Sequence, residues 1–514
     1  MKVDTPTFDR TTTVLGILLL SVAYYVVSSF FAWRRLQAFP GPFLASFSCL
    51  WLMRAGQTGH VERILMAEAE KHNTLTIRVG PNAILTGDPE LIRRTTAVRS
   101  RYRRSDWYRM NRLIPGEDSM ITALDVAEHD WLKAKTAPGY TGKDVPTLES
   151  TIDRVLLELI AKIRAKYAAD PSLPRSGTNI KPLLDLARIA SYFTLDSITQ
   201  LAFGQNFGFL ESETDVYGHF VMLNEMAQKA MAITTAPPFI GRIVSSTPFL
   251  RLVDFLIKPE NRTGIFRILP TTKAIVARRY APDAPRQNDM LGSFVAHGLS
   301  EAQANNEAVL QVMAGSDTTA TWIRATMLRI ISTPRVYRRL QKEIDNAVKT
   351  DKISWPIISA VEAAALPYLQ AVLLEGLRIQ PPAGSMFFKV VPPEGDTVDG
   401  KFVPGGTRIG VIMEVIGRIQ NIFGEDADVY RPERWLEADK EKEMVMKKTV
   451  DLAFSYGRYG CAGKMVAHME AAKVIVELLR VFDFQLAFPE KPWDSVNYVV
   501  YMQKNMWVAV SLRE

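Results

Sequence analysis

Residues 454–463 read FSYGRYGCAG and decide the fold class of this 514-residue chain. Three glycines in this stretch let a backbone turn tightly and approach a flat molecule closely. Between them stands Cys461, directly before an amphipathic stretch that predicts a helix through Phe482. The amide donors and the dipole at a helix N-terminus favour a thiolate over a thiol. The alternative is a small buried cysteine packed in a glycine-rich turn.

The rest of the composition argues against several other kinds of site. The chain has two cysteines and six histidines, with neither an HExxH nor a CxxC pattern. A disulfide framework and a zinc site are therefore not expected. The formal net charge is +7, but no basic run is interleaved with aromatic residues, so we expect no nucleic-acid partner. This mild basic excess is compatible with an anionic membrane surface.

The N-terminal region predicts a membrane anchor. Residues 13–33 carry no charge, and their number is about the 20 that a helix needs to span a bilayer. Arg34 and Arg35 follow at once, which places the C-terminal side in the cytosol. A cleaved signal peptide fits poorly, because Asp4 and Asp9 lie near the start and the apolar run ends in bulky residues. A buried core helix is the other alternative.

The anchor divides the chain into unequal parts. We expect a short lumenal N-terminus at 1–12, the anchor at 13–33, a basic and proline-containing hinge at 34–43, and a globular body at 44–514. With the body in the cytosol, Asn261 should stay unglycosylated although it begins an acceptor pattern. Apolar, proline-broken stretches at 236–240 and 248–250 are either loops over the core or a surface that dips into the membrane.

A long helix is predicted to begin at Ser300 and to end before Thr333. Ser300 and Gln303 form a capping-box pattern, and about thirty residues at about 1.5 Å each cross a whole domain. The centre of the helix, residues 314–319, reads AGSDTT, where glycine and β-branched threonines are poor helix formers. A local distortion that admits a small molecule would explain this choice. The alternative is a threonine hydroxyl that bonds its own helix and bends it.

A buried ionic network is predicted from the next helix, which starts at Pro367 and contains EGLR. Glu375 and Arg378 share a helix face among apolar neighbours, so the carboxylate needs further hydrogen-bond partners. Arg434, in the sequence PERW, is the candidate for a second cation. The alternative is an exposed surface pair worth under about 1 kcal/mol.

These motifs together resemble those of the cytochrome P-450 family. AGSDTT, EGLR, PERW and FSYGRYGCAG occur in the family's order, and the resemblance runs from Phe39 to the C-terminus. It implies a mainly α fold with a small β-rich subdomain around one heme, preceded here by one transmembrane helix. Within the family, the chain is most similar to fungal enzymes of the pisatin demethylase type, on residues 104–108 and the pair Arg458 and Tyr459.

The resemblance implies a role for the residues that match these motifs. Cys461 is the expected axial thiolate ligand of heme b, and thiolate ligation favours O–O cleavage. Asp317 and Thr318 match the acid–alcohol pair that delivers protons to oxygen. The network of Glu375, Arg378 and Arg434 is expected to support the heme loop as scaffold. The body at 44–514 is then a heme-thiolate catalytic domain.

Further heme contacts follow from the same resemblance. His129 and Lys133 fall where the family contacts the heme propionates, and Trp131 and Lys135 are an alternative registration. Lys389 occupies another propionate position. The complete set of expected heme contacts is Cys461, His129, Lys133, Lys389, Phe454, Gly457, Tyr459 and Gly463.

Tyr459 departs from the family pattern, which usually has arginine two residues before the cysteine. A partly buried propionate needs charged or hydrogen-bonding partners, and a tyrosine hydroxyl donates only one neutral hydrogen bond. We expect Lys389, Lys133 and His129 to supply the missing charge. Arg458 is expected to point away, toward a redox partner, and the alternative is that it bends back and binds the propionate itself.

The implied reaction inserts one oxygen atom of O₂ into an unactivated bond of a small molecule. No dinucleotide fingerprint or flavin domain occurs, so we expect no bound flavin or NADPH and a separate NADPH-cytochrome P-450 reductase as electron donor. Its basic docking face is expected at Arg458, Lys464, Lys447, Lys448 and Lys133. The anchor and the family imply the endoplasmic reticulum membrane, with the catalytic domain in the cytosol.

The expected substrate contacts are mostly apolar or aromatic. They are Trp107, Tyr108, Val309, Met313, Met386, Phe387, Phe388 and Val499, from residues 107–108, 309–313, 386–388 and 497–501. A lipophilic substrate follows, such as a terpenoid or polyketide of fungal secondary metabolism. Two rival functions are a heme-thiolate isomerase or dehydratase that works without O₂, and a non-catalytic heme-binding protein. The Asp317–Thr318 pair argues against the first, because such chemistry needs no proton relay to oxygen.

Overall fold

Helices make up most of the protein. The computed structural model describes residues 10–513 apart from 113, 115, 175, 217, 219–242, 244–245 and 257–264. Its helices are α1 Arg10–Arg35, α2 Leu50–Gln57, α3 Val61–Lys71, α4 Pro89–Thr96, α5 Val126–Tyr140, α6 Leu148–Lys166, α7 Leu186–Phe203, α8 Phe209–Ser212, α9 Thr247–Leu256, α10 Ile265–Arg279, α11 Met290–Ala296, α12 Glu301–Ser332, α13 Pro334–Lys349, α14 Ala360–Ala364, α15 Pro367–Ile379, α16 Met413–Ile416, α17 Gln420–Phe423, α18 Arg434–Glu437, α19 Lys440–Val450 and α20 Lys464–Val481.

The strands are short and form small sheets. They are β1 Thr76–Gly80, β2 Ala83–Thr86, β3 Arg103–Arg104, β4 Ala168–Ala169, β5 Leu184–Asp185, β6 Ser385–Val390, β7 Asp396–Val398, β8 Lys401–Val403, β9 Arg408–Ile412, β10 Phe482–Leu486, β11 Asp494–Asn497, β12 Tyr501–Lys504 and β13 Trp507–Leu512. One sheet has the order β1-β2-β9-β6-β3, and another joins β10, β13 and β4, with β5 also paired to β13. The fold is therefore mainly α with a small β-rich part, which confirms the predicted class.

The five-stranded sheet joins distant parts of the chain. It begins with β1 and β2, an antiparallel pair, and β9 then pairs with β2. β6 lies beside β9, and β3 pairs antiparallel with β6. The register of this last pair sets Arg104 opposite Lys389. Two basic side chains that are far apart in sequence thus meet at one edge of the sheet.

The apolar core lies mainly between helices α6, α7, α12, α15 and α20. Trp322 of α12 is 1% exposed, and its indole N–H donates to the Leu373 carbonyl of α15 at 3.0 Å. Edge contacts to Phe454 and His468 join the same ring to the segment around Cys461. The long helix α12 is therefore packed against α15 on one side and against the segment around Cys461 on the other, and this packing fixes the position of the residues at its centre.

The long helix α12 begins with the predicted capping box at Ser300 and ends before Thr333. It is continuous from Glu301 to Ser332, so the distortion predicted at 314–319 is not seen. The glycine at position 315 is explained by packing instead, because a Cβ atom there would lie 2.8 Å from the Ile198 side chain of α7. The glycine permits the close crossing of α7 and α12.

The helix α1 contains the predicted anchor. Its span Thr13–Arg35 is the one helix of the described residues that is long and apolar enough to cross a membrane, with a mean hydropathy of 2.1. None of the most apolar part of this span is buried in protein. In the predicted hinge that follows, Leu36 and Phe39 are buried against Ile84 and Ile409 of the five-stranded sheet. The C-terminal end of the anchor is therefore attached to the body through an apolar contact.

Three of the predictions concern residues that the structure leaves undescribed in whole or in part. They are the short lumenal N-terminus at 1–12, of which residues 1–9 are not described, the apolar stretch at 236–240, and the acceptor pattern that begins at Asn261. The neighbouring stretch at 248–250 lies in α9, where the Phe255 and Leu256 side chains are exposed.

Candidate active site

The loop around Cys461 is closed by its own backbone. The amide N–H of Cys461 donates to the Phe454 carbonyl at 2.8 Å, and that of Gly460 donates to the Gly457 carbonyl at 3.2 Å. Gly457 has a φ of +60°, and a Cβ atom there would meet the Thr96 carbonyl at 2.6 Å. Only glycine fits this combination of conformation and close approach. The loop thus presents Cys461 at the start of α20.

The Cys461 thiol experiences opposing influences. Protein atoms packed around the sulfur raise the pKa of the thiol, although part of the side chain remains exposed. The amides of Gly463 and Lys464 and the Lys133 ammonium act in the other direction. The predicted influence of the amides at the helix N-terminus is therefore present, and burial outweighs it. A metal cation at the sulfur supplies the additional charge that thiolate formation needs.

Lys133 stabilises this loop from the neighbouring helix α5. Its ammonium donates to the Arg458 carbonyl at 2.7 Å and to the Gly460 carbonyl at 2.9 Å. The Arg458 side chain forms an ion pair with Asp130 and donates to the Val98 carbonyl at 2.5 Å. Arg458 is thus held between α5 and the end of α4, and its side chain is only 17% exposed. It is not free at the surface, contrary to what the alternation of side chains in an extended loop suggests.

The ring of Tyr459 lies among three basic side chains. The Lys389 ammonium is 3.4 Å from the ring centroid, and the Arg104 guanidinium carbon is 4.5 Å from it. The His129 ring centroid lies 4.9 Å away. A phenol between cations gains from cation–π attraction and contributes no further positive charge. Tyr459 thus occupies a position where another arginine would repel two existing cations.

Arg104 and Lys389 are buried without an acidic partner. They are 8% and 4% exposed, and in the described part of the chain no ion pair joins either to a carboxylate. Burial lowers the pKa of both side chains, well below the usual range for Lys389, and the charge of Arg104 adds to the effect on Lys389. Two buried, unpaired cations are costly unless an anion accompanies them.

Sequence reasoning did not identify Arg104 as part of this cluster. Its Nη1 group donates to the Met120 carbonyl at 2.7 Å, while its Nε–H is buried without an acceptor. A sequence signal existed, because Arg104 lies beside the aromatic pair at 107–108. The pairing of β3 with β6 that carries it to Lys389 has no local signature.

His129 is buried and contributes a neutral ring. Burial and the nearby Arg104 lower the pKa of His129 to about 4, and the Asp130 carboxylate 2.9 Å from Nδ1 offsets only part of this effect. In the alternative registration, Trp131 is 40% exposed and lies under the Lys135 ammonium. The registration with His129 and Lys133 is therefore the one whose side chains reach the Cys461 loop.

These features fit a flat, anionic group that contains a metal. The glycine-rich loop allows close approach, and the cysteine sulfur can ligate a soft or borderline cation. Arg104 and Lys389 lack an anionic partner, and the buried N–H of Arg104 lacks an acceptor. A heme has iron for the sulfur and propionates for the cations, so the residues present fit this group.

Comparison with known proteins identifies the family. The model of the cytochrome P450 family matches residues 40–508. The chain belongs to the cytochrome P450 family. It is 44% identical to "Cytochrome P450 monooxygenase ABA1" of Pyricularia oryzae over 501 residues, which cover 97% of this chain and 96% of that protein. It is 41% identical to "Cytochrome P450 monooxygenase aba1" of Botryotinia fuckeliana over 480 residues, 93% of this chain and 92% of that protein.

A third fungal relative extends the same relationship. "Cytochrome P450 monooxygenase abl1" of Leptosphaeria maculans is 36% identical over 498 residues, which cover 94% of this chain and 86% of that protein. The chain is thus a heme-thiolate monooxygenase of the cytochrome P450 family, a class that uses heme iron with a cysteine thiolate ligand and needs O₂, a substrate and a reducing partner.

The expected acid–alcohol pair of this P450 points in two directions. The Thr318 hydroxyl is exposed and donates to the Ala314 carbonyl at 2.8 Å, as in the alternative interpretation of the motif. The Asp317 carboxylate accepts from the Arg324 guanidinium at 2.8 Å and from the Ser191 hydroxyl at 3.4 Å. Because the Asp317 carboxylate is bound by these two groups, it is not hydrogen-bonded to the neighbouring Thr318 hydroxyl.

Arg324 is the second residue that sequence reasoning missed. It is 1% exposed and donates to the Ser191 hydroxyl at 2.7 Å, to Thr321 at 2.8 Å, and to Gln503. Its position seven residues after Asp317, on the same face of α12, was a usable signal. The arginine joins the centre of α12 to α7 and to the strand β12.

Glu375, Arg378 and Arg434 meet as a buried network. Arg378 donates to both carboxylate oxygens of Glu375, at 2.8 and 2.7 Å, and Arg434 donates at 3.0 Å. All three side chains are at most 2% exposed. The Trp435 indole adds a hydrogen bond of 3.0 Å to the same carboxylate. The alternative of an exposed surface pair is therefore wrong.

Six of the expected substrate contacts come together in one apolar cluster. The Trp107 ring lies 5.0 Å from the Tyr108 ring and 5.5 Å from the Phe387 ring, with edge contacts in both cases. The cluster also includes Met386, Phe388 and Val499. Val309 is fully buried in α12 outside this cluster, and Met313 is half-buried in the same helix.

The same cluster contains unusual backbone conformations. Met386, Phe387 and Val499 have φ values of +79°, +46° and +99°. Residues with side chains seldom adopt such values, and β-branched residues least of all. A bulge between Met386 and Lys389 interrupts the pairing of β6 with β9. Backbone strain of this kind is concentrated at functional sites, so the bulge marks this part of the sheet.

The expected basic docking face is partly neutralised. Lys464 pairs with Asp451 at 2.7 Å and Lys447 with Glu443 at 2.6 Å. Arg458 is likewise paired, and Lys133 is committed to the backbone carbonyls of the loop. Of the five expected cations, Lys448 alone is exposed without an ion pair in the described residues. The surface is thus a mixed one, with acids interspersed among the bases.

Proposed function

We propose that this P450 oxidises a lipophilic small molecule, a fungal secondary metabolite of terpenoid or polyketide type. Bound heme supplies O₂ activation: one oxygen atom enters a substrate bond and the other leaves as water, with two electrons from a reductase and two protons from water. The observation that carries the proposal is the partly exposed Cys461 thiol in a glycine-rich loop, next to buried cations that lack an anion.

Cys461 is the residue proposed to hold the iron of heme b through its sulfur. The only other cysteine, Cys49, is remote in sequence and lies outside the glycine-rich loop. The Gly463 and Lys464 amides help to stabilise negative charge on the sulfur once the iron binds. Phe454 closes the loop through its carbonyl, and Gly457 keeps it against α4. These contacts within the chain set the position of the sulfur.

Arg104 and Lys389 are the proposed partners of the heme propionates. Both are buried beside Tyr459, and neither has a carboxylate partner among the described residues. His129 adds a neutral ring beside Tyr459; its single N–H, at Nδ1, donates to the Asp130 carboxylate at 2.9 Å, so His129 is proposed to contact the heme without donating to a propionate. Lys133 acts one step removed, by holding the carbonyls of the cysteine loop. Charge-assisted hydrogen bonds of this kind are about twice as strong as neutral ones.

Thr318 and Asp317 are the proposed proton-delivering residues. The Thr318 hydroxyl is exposed at the centre of α12, where it can orient a water molecule. Asp317 can pass a proton only after it turns away from Arg324 and Ser191, since its carboxylate is bound to both. Arg324 is therefore a positioning residue in this proposal. It sets how readily the carboxylate turns toward the threonine.

The proposed substrate site is the aromatic cluster around Trp107. Its side chains are apolar or aromatic, and one polar group among them is informative: the Trp107 indole N–H is buried without an acceptor. A lipophilic substrate with one oxygen acceptor would satisfy this donor. Val309 and Met313 of α12 are proposed to line the same site on its other side.

The proposed partner is NADPH-cytochrome P450 reductase, and the proposed location is the endoplasmic reticulum membrane. The apolar span Thr13–Arg35 supports a single-pass anchor with the body in the cytosol. Because acids are interspersed at the docking face, association should depend on salt less steeply than for a purely basic surface.

The ferrous CO spectrum of Cys461→Ser tests the ligand. We expect the parent and the matched control Cys49→Ser to show the red-shifted band of thiolate ligation, and Cys461→Ser to lose both this band and turnover. A Cys461→Ser protein that keeps the band contradicts the assignment. Incorporation of ¹⁸O from ¹⁸O₂ then separates a monooxygenase from an isomerase or dehydratase. Absence of reductase-dependent NADPH consumption would favour a non-catalytic heme protein.

A further inference from the structure

Two acidic side chains are buried near the turn that joins β11 and β12. Glu62 of α3 and Glu414 of α16 are 6% and 1% exposed. One oxygen of each carboxyl group, Oε2, is buried without a hydrogen-bond partner in the described part of the chain. The Arg63 Nε lies 3.7 Å from Glu62, but this arginine is 75% exposed, and the Arg418 side chain donates to the backbone carbonyl of Glu414. Among the described residues, neither carboxyl group thus has a buried cation hydrogen-bonded to it.

The two carboxyl groups oppose each other's ionisation. Burial raises the pKa of Glu62 to about 7, and the charge of Glu414 adds to this effect, while Arg63 offsets part of it. Burial also raises the pKa of Glu414, and the Tyr501 hydroxyl and Arg418 offset part of that rise. Loss of the second proton therefore places two negative charges in one buried site, which is costly.

Glu414 is bound to both ends of the turn. Its Oε1 accepts from the Asn497 amide group at 3.3 Å, and the Tyr501 hydroxyl bonds the same carboxyl group. Asn497 is the last residue of β11 and Tyr501 the first of β12. A Cβ atom at Gly384 would collide with the Glu414 carboxyl group and would lie 2.9 Å from the Asn497 amide nitrogen. The carboxyl group is therefore enclosed between the turn and the chain that leads into β6.

The same turn carries a residue of the proposed substrate site. Val499 belongs to the aromatic cluster around Trp107, and its φ is +99°. A β-branched residue in such a conformation is strained and persists only where its surroundings hold it. The Val499 carbonyl accepts from the Gly384 amide at 2.8 Å, and the Val499 amide donates to the side-chain oxygen of Asn497 at 2.9 Å. Asn497, which Glu414 binds, thus helps to hold Val499 in place.

We propose that Glu62 and Glu414 are positioning residues for substrate binding. With one negative charge between them they hold the turn 498–500 and set Val499 against the substrate, and a second negative charge releases the turn. The two acids act through Asn497 and Tyr501, and Val499 makes the contact. This inference rests on the proposed function, because Val499 meets the substrate only if the aromatic cluster is the substrate site.

The direction of the pH effect follows from the raised pKa of the pair. Glu62 is harder to ionise in the held turn, so its contribution is complete below the ordinary pKa of about 4.5 and is lost as the pH rises through about 7. His60 lies 4.0 Å from Glu62, but burial and Arg63 lower the pKa of this histidine, so it adds no charge at pH 7. Arg63 and Arg418 remain charged and Tyr501 remains neutral across this range. The two acids are therefore the groups that change charge.

Hydrogen exchange measured by mass spectrometry tests the hold on the turn. The full-length, heme-loaded protein is measured at pH 6.0 and 7.5, and exchange of the peptide that covers 497–501 is expressed relative to the unfolded chain at the same pH. We expect protection in the parent to fall about tenfold between the two values, because release of the turn is coupled to one proton. Glu62→Gln should show no such fall, since the neutral amide removes one of the two charges. Glu70→Gln, at an exposed acid of the same helix, is the matched control and should behave like the parent.

Two results would overturn the proposal. One is a parent whose protection at 497–501 is the same at both pH values. The other is an equal fall in the parent and in Glu62→Gln. Bound heme, measured by absorbance, reports whether Glu62→Gln folds. If it does not, Glu414→Gln takes its place, and the change in protection between the two pH values is again the quantity compared.

Two ligands of heme iron test the link to the substrate site. Clotrimazole is large enough to fill an apolar site, whereas imidazole is not. At pH 7.5 we expect saturating clotrimazole to restore the protection of 497–501, because a ligand that needs the held turn shifts the equilibrium toward it, and saturating imidazole to leave the protection unchanged.

The outcomes with these ligands separate the inference from the function on which it rests. Bound clotrimazole without a gain in protection would overturn the role of the acids in substrate binding, together with the proposed place of Val499 in the substrate site. The pH comparison would then still decide whether the two acids hold the turn. The absence of a heme spectral shift with either ligand would instead overturn the proposed heme site, and this inference with it.

Discussion

Replacement of Lys389 by methionine should accelerate the loss of heme. Lys389 is buried beside Tyr459, and no carboxylate pairs with it among the described residues. If a propionate is its partner, two unit charges about 5 Å apart at an effective dielectric constant of about 20 attract by about 3 kcal/mol. At about 1.4 kcal/mol per factor of ten, heme should leave about a hundredfold faster.

Transfer of heme to excess apomyoglobin measures this rate. Arg104→Met should show a change of similar size, because its guanidinium faces the same ring. Arg458→Met should release heme at nearly the parent rate, because its side chain is bound to Asp130 and the Val98 carbonyl. Lys401→Met is the matched control, since that lysine also lies over an aromatic ring, Phe39, in another part of the protein.

The opposite pattern would refute the reasoning. Rapid heme loss from Arg458→Met, with parent rates for Lys389→Met and Arg104→Met, would mean that Arg458 leaves Asp130 and binds the propionate. Equal acceleration in the Lys401→Met control would show that the loss of any lysine–ring contact is sufficient. Either result would refute the argument that Lys389 and Arg104 bind the propionates because they are buried without a carboxylate partner.

Three further predictions concern proton delivery, pH and topology. Thr318→Ala should keep its heme but divert electrons from NADPH to hydrogen peroxide, whereas Thr318→Ser should still use them to form product. Equal peroxide yields in the two variants would contradict the role of the Thr318 hydroxyl. Burial raises the pKa of Glu470 to about 8, so the free energy of unfolding falls as the pH rises from about 4.5 through 8. Glu470→Gln should therefore melt at a higher temperature than the parent above pH 8 and at the same temperature near pH 4.5. Melting temperatures of the two proteins that differ by the same amount at every pH would disprove this. Asn261 should remain unglycosylated, and endoglycosidase-sensitive mass there would mean that the body faces the lumen.

Local signals in the sequence predicted the main helices well. Ser300 and Gln303 gave the start of α12 because a capping box uses only neighbouring residues. Glu375 and Arg378 were placed on one buried face from their spacing and their apolar neighbours, and Arg434 was found as their partner. These features depend on periodicity and capping, which a sequence displays directly.

Contacts between distant segments were harder to predict. Arg104 meets Lys389 only because β3 pairs with β6 in one register, and a register leaves little trace in a two-residue strand. Gly315 was interpreted as a site of helix distortion, whereas its absent side chain makes room for Ile198 of another helix. A pattern along one helix cannot specify which neighbour packs against it.

The sequence also did not show how opposing electrostatic effects balance at one site. The position of Cys461 before a helix favoured the thiolate, but burial raises the pKa of the thiol by more than the amides lower it. Similarly, the bases expected at the docking face were counted without the acids that lie beside them, such as Asp130 and Asp451. Sequence shows which charges exist, and only the fold shows which of them cancel.

The network around Glu375 also holds a segment of the chain that lies outside the helices it joins. Arg378 and Arg434 bind the carboxylate and also backbone carbonyls of residues 417–429, a mostly irregular segment around the short helix α17. These carbonyls include those of Gly417 and Ala427. The helices α17 and α19 carry this support onward to the turn that precedes the cysteine loop. This segment, whose one helix is the single turn α17, is thus held in shape by two guanidinium groups. Glu375, Arg378 and Arg434 therefore determine the path of the chain that leads to the cysteine loop, although none of the three lies in that loop.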